Sequence, residues 1–170
     1  MQTVKADGLR VKYTTHRPKR IEGMSLPLLN FKQQDNHSCG FLAALTVARY
    51  YDPGIDDLAV LLAVRPSFDH GTSRRKMIGG LAQLGISAAY CDTMTVEALR
   101  LCVRGRVPVI ISVLPDHWAG DHWVVVQGFG QGRVYLTNHW SLRVRDFKRE
   151  WIHNWDEGPL GAGLVCTRTI

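Results

Sequence analysis

Apolar and polar positions alternate along this chain with two periods, one helical and one extended. Residues 39–51, CGFLAALTVARYY, put Leu42, Leu45 and Ala48 on one face, with Ala44 and Tyr51 beside it, predicting a buried helix that opens at Cys39. Residues 107–113, VPVIISV, read as a continuous apolar strand, followed by the polar loop LPDHWAGD and a second strand over 122–129, HWVVVQGF. The turn Gly130-Gln131-Gly132 then leads into a third strand, RVYLT, and GLVC near the end reads as a closing strand. A hairpin with so short a turn lays its outer ends side by side, which predicts that His122, at the mouth of one strand, neighbours Asn138, just past the other.

Length and composition add one domain to this picture. With 170 residues, 45% hydrophobic and 21% charged, the chain matches one globular unit, of a size that buries roughly 70% of its unfolded surface. Glycine and proline are scattered between the periodic segments, so the pattern shows no linker, low-complexity tract or repeat. Within residues 1–30, Lys5, Arg10, Lys12, Arg17, Lys19 and Arg20 outnumber Asp7 and Glu22, so a basic N-terminal extension holds much of the net charge of +6. These cations form no nucleic-acid-binding motif and read as a solvated face. The opening MQTVKAD lacks the apolar core of a signal peptide, and no apolar run approaches the ~18 residues of a membrane span. The expectation is a cytoplasmic protein with no membrane span and no nucleic-acid partner.

The cysteines divide into two settings. Cys91, Cys102 and Cys166 lie in apolar stretches and read as inert small hydrophobes, without CxxC spacing for zinc or a disulfide framework. Cys39 instead closes the polar segment DNHSC at the start of the predicted helix, where the helix dipole lowers a thiol pKa and favours thiolate near neutral pH. Taken alone, the residue also suits a plain cap on a core helix. His122 and Asn138 alone are equally an ordinary strand-end histidine and a turn residue. Together the three have the chemistry of an activated nucleophile, its base, and an amide whose oxygen holds the imidazole in one tautomer.

The strings QQDNHSCGFLAALTVARYY, GTSRRKMIGGLAQLGI, EALRLCVRGRVPVIISV and DHWVVVQGFGQGRVYLTNHW resemble the bacteriocin-processing, double-glycine leader peptidases of the papain-like superfamily, over roughly residues 30–155. The resemblance implies a papain-like α+β fold: a helical half with the nucleophile helix, an antiparallel-sheet half with His122 and Asn138, and a cleft between. Residues 55–64, with Asp56 and Asp57 in an acidic first turn, and residues 73–84, ending at Gly85, then read as helices beside the nucleophile helix. A strand at ISAAY and a helix from Val96 to Arg104, capped by Thr95, lead into the sheet. The family glutamine lies six residues ahead of the cysteine, a position that Gln33 fills and Gln34 does not. The resemblance thus implies an oxyanion hole made by the Gln33 amide and the Cys39 N–H. The family's usual aspartate and proline are absent at the third position, where Asn138-His139-Trp140 looks more like the Asn-x-Trp of papain.

The implied activity is hydrolysis of a peptide bond in a peptide or protein substrate, with no cofactor and no metal. An acyltransferase or deamidase, in an effector-like role, would use the same cysteine and histidine, and a non-catalytic peptide-binding module would retain them as relics. His117 competes with His122 as the base but lies inside the loop. Trp118, Trp123 and Trp140 are expected to surround the site and shape the substrate cleft, or else to pack in the core. Asp35 and His37 read as loop residues. Arg74, Arg75 and Lys76 fall in a helix's first turn, where cations oppose the dipole, and read as a solvent-exposed run or as part of a site for an acidic group.

Overall fold

The first thirty residues, to which the apolar pattern assigns no element, carry a hairpin. In the computed structural model, which describes residues 1–6, 8–17, 21–114, 121–139, 141–152 and 161–169, β1 (Gln2–Ala6) pairs antiparallel with β2 (Leu9–His16). Alternation along β2 turns Val11 and Tyr13 inward, where both are fully buried. After β3 (Met24–Ser25), strand β4 (Asn30–Gln33) pairs with β2 and completes a three-stranded sheet in the order β1-β2-β4. The hairpin is thus part of the core layer that leads into the nucleophile segment, rather than an appendage.

Three helices follow: α1 (Cys39–Tyr51), α2 (Asp57–Val64) and α3 (Arg74–Gln83). Asp56 caps α2 by accepting from the Leu58 N–H, and Ser73 caps α3 by accepting from the Lys76 N–H. Gly85, at φ +72°, ends that segment and releases β5 (Ile86–Met94), which runs longer than the ISAAY stretch. Helix α4 (Val96–Arg104) has its predicted bounds, with Thr95 accepting from the Ala98 N–H.

Strands β6 (Val109–Val113), β7 (His122–Gly130) and β8 (Arg133–Leu136) realise the apolar runs and the hairpin; β9 (Leu142–Arg143), α5 (Val144–Ile152) and β10 (Gly161–Arg168) finish the chain. The larger sheet is antiparallel, in the order β5-β10-β6-β7-β8-β9, with β3 on β7. Helix α1 packs against β7, α2 and α3 pack on α1, and α5 lies against β6, β9 and β10. The result is an α+β fold with the start of α1 set against the start of β7. No helix among the described residues is long and apolar enough to cross a membrane.

Candidate active site

The approach to Cys39 is shaped by one carboxylate. Asp35 Oδ1 accepts from the N–H groups of His37 at 3.0 Å and Ser38 at 2.8 Å, bending residues 34–38 into the turn that starts α1. Ser38 stands at the N-cap without a side-chain capping bond. Cys39 follows, 8% exposed. The next residue must be glycine, because a Cβ there would lie 2.4 Å from the Cβ of Thr72.

Strand β8 stops at Leu136, and Thr137 makes the last bonds to β7, its N–H reaching the Val125 carbonyl and its hydroxyl accepting from the Val125 N–H. Beyond that point the backbone of Trp123, with those of Gly40 and Cys39 itself, acts to lower the Cys39 thiol pKa. The Trp123 ring closes one side, its Nε1–H donating to the Thr72 carbonyl at 2.8 Å.

Burial governs the electrostatics. It raises the Cys39 pKa, outweighing those three backbone groups, and the nearby Asp35 charge raises it further. This corrects the expectation of a thiolate near neutral pH from the helix dipole, since desolvation of the sulfur exceeds what the helix start supplies. The same burial lowers His122 from its ordinary 6.5 to about 4, helped by the Lys32 charge and opposed by the Asn138 carbonyl. At neutral pH the pair rests as uncharged thiol and uncharged imidazole.

His122 and Asn138 do meet, but through the main chain. His122 Nε2 lies 3.2 Å from the Asn138 carbonyl oxygen. The Asn138 side chain turns instead to β4: its Oδ1 accepts from the Gln33 N–H at 3.0 Å and its Nδ2 donates to Gln33 Oε1 at 2.8 Å. The cause is the backbone at Asn138, which is left-handed at φ +54°, a conformation asparagine tolerates better than most residues. Its N–H donates to Asn30 Oδ1. The expected contact between side-chain amide and imidazole is therefore replaced by one from the carbonyl. Gln33 Nε2 donates to the Asp35 carbonyl at 2.8 Å, which engages one of its two hydrogens. Gln34 is exposed.

No family model and no curated protein matches the sequence. Solved structures do match. The double-glycine-motif protease of an AMS/PCAT transporter, crystallised with the leader peptide, superposes at TM-score 0.65 with 19% identity, covering 88% of this chain and 97% of that one. The peptidase domain of Streptococcus ComA, a bi-functional ABC transporter involved in a quorum-sensing pathway, gives 0.64 at 15% identity, covering 87% and 100%. A C39-like peptidase from Bacillus anthracis gives 0.57 at 14%, covering 79% and 91%. The chain has the double-glycine peptidase fold.

Of the other expected site residues, His117, Trp118 and Trp140 lie outside the described residues. The basic run does not converge: Arg74 stacks 4.0 Å over the Tyr90 ring, and Lys76 Nζ donates to the Arg65 carbonyl. Among the described residues no group of three His, Cys, Asp or Glu could hold a metal ion. Sequence reasoning passed over Asp35 as a loop residue, and over Lys32, His139 and Glu150. A sequence signal existed for Glu150, which falls between Phe147 and Trp151 on the apolar face of an amphipathic segment.

Proposed function

We propose that this protein is a cysteine peptidase with Cys39 as nucleophile and His122 as general base. The observation that carries the reading is a buried cysteine opening α1 whose thiol pKa the Trp123 backbone acts to lower, one residue from His122, whose Nε2 lies 3.2 Å from the Asn138 carbonyl oxygen. The carbonyl can only accept, so it holds a neutral His122 in the tautomer with its proton on Nε2 and leaves Nδ1 basic. Because both partners rest uncharged, the thiol proton passes to Nδ1 as the sulfur attacks the substrate carbonyl, rather than in a preformed ion pair.

The tetrahedral oxyanion is received by the Cys39 N–H and by the second hydrogen of the Gln33 amide. What supports this reading is that the Gln33 amide is held still, its Oε1 accepting from Asn138 Nδ2 and its Nε2 donating to the Asp35 carbonyl. His122 then protonates the leaving amine, and water releases the acyl-enzyme. A peptide substrate accords with the leader peptide held by the AMS/PCAT protease of the same fold.

Incubation with a peptide library, with products identified by mass spectrometry, tests the reading. New peptide termini that vanish in Cys39→Ala are expected. A one-dalton gain at glutamine or asparagine, or joined products, would replace hydrolysis with deamidation or transfer on the same residues.

A further inference from the structure

The chemistry above leaves a buried pair beside His122 without a role. His139 follows the left-handed residue, and its Nε2 lies 3.4 Å from Oε2 of Glu150, with 2% and 8% of the two side chains exposed. The His139 ring meets that of His122 edge to face, 5.9 Å between centroids at 70°. Both residues are also fixed through the backbone: Lys32 Nζ donates to the His139 carbonyl at 3.0 Å, and the Leu114 N–H to the Glu150 carbonyl at 2.9 Å. A glutamate on the core face of an amphipathic helix loses its hydration, and apolar residues of equal volume would pack there at least as well. Its place is explained by what it holds.

We propose that Glu150 holds His139, and that His139 positions His122, keeping the ring at the tilt in which Nε2 reaches the Asn138 carbonyl. The inference rests on His122 being the base. Among the described residues, the charged and titratable groups shown near His122 are Lys32 from β4, Asp121 next to it in sequence, and His139 with, beyond it, Glu150 from α5. Of these, the His139–Glu150 pair sets the face of the ring, while the others act on its charge.

The test uses the full chain labelled with nitrogen-15 at histidine, and reads two quantities: the tautomer of His122 by NMR, and the rate at which iodoacetamide alkylates Cys39 between pH 6 and 9, resolved from Cys91 by peptide mass spectrometry. His139→Phe combined with Glu150→Met removes both members of the pair together, so that neither is left facing a vacated partner. His122 is expected to go from one tautomer, protonated on Nε2, to an average of two, and Cys39 alkylation to fall roughly tenfold, a factor worth about 1.4 kcal/mol, with Cys91 unchanged. A folded double variant with wild-type tautomer and wild-type rate overturns the proposal, because a merely structural pair would move only the melting temperature. If that variant does not fold, Glu150→Leu alone is judged by the same two readings. Averaged tautomers in the unsubstituted protein overturn the proposal without any variant. Should His122→Ala leave Cys39 alkylation unchanged, the base assignment fails instead, a result separate from the tautomer reading.

Discussion

At the scale of single residues, His122 shows how burial sets the working range of this site. Its pKa near 4, against an ordinary 6.5, comes first from desolvation. On the proposed mechanism the free protein therefore keeps its base down to about pH 4, and kcat/KM against a library-derived peptide should show its acid limb there rather than near 6.5. The same shift acts on stability. Between pH 4 and 6.5 the unfolded chain binds the proton that the folded chain refuses, so stability rises with pH across this window and is complete above 6.5. Denaturant unfolding at pH 4 should show a loss approaching roughly 3 kcal/mol from this group. An acid limb near 6.5 would mean that His122 is solvated in the free protein.

At the scale of elements, the start of α1 depends on how closely two segments approach. Thr72 covers Gly40 so tightly that Gly40→Ala must push the 65–73 segment away or displace the helix start. The expected cost is about 1–3 kcal/mol, read as a shift in the urea midpoint. Peptidase activity should fall as well, because Trp123 is bonded to the Thr72 carbonyl and moves with it.

What the sequence made legible follows from the same local physics. Helix α4 was readable to the residue because Thr95 caps it and its apolar stripe is regular. The β7–β8 hairpin was readable from two apolar runs around a Gly-Gln-Gly turn, and with it the meeting of His122 and Asn138. That the meeting would use a carbonyl was not readable, since it depends on one positive φ and on bonds to Asn30 and Gln33, more than a hundred residues away in sequence. The β1–β2 hairpin escaped notice because its strands are short of apolar residues, carry lysine and arginine on their outer face, and bury their inner face only against distant helices. The thiol's burial was invisible for a related reason, as polar neighbours in sequence do not reveal what covers a side chain in space.

At the scale of the whole molecule, the opening hairpin is fastened to the helical half by a half-buried polar cluster. The Tyr13 hydroxyl donates to Asp57 Oδ2, and Arg49 pairs with Asp57 Oδ1 at 2.6 Å, joining β2, α1 and α2. Burial, then the Asp57 carboxylate, raises the Tyr13 pKa, so the hydroxyl keeps its proton and remains the donor. Tyr13→Phe keeps the ring among Phe31 and Phe41 but removes that donor. The expected loss is about 1.5–3 kcal/mol, the range for a hydrogen bond to a charged group. Calorimetry would show it as a lower midpoint of a single transition; a separate early transition would mean that the hairpin unfolds by itself.

Strand β10 lies between β5 and β6, although some seventy residues of sequence separate it from β5. Until residues 161–168 have been synthesised, those two strands have a vacant track between them, and the sheet behind the thiol stays open. A chain that stops before residue 161 holds Cys39, His122 and Asn138 but lacks the strand that joins β5 to β6. Non-local pairing of this kind also forms slowly. The order of the strands thus makes the last-synthesised strand the keystone of the larger sheet, whose pairings are complete only once residues 161–168 are in place.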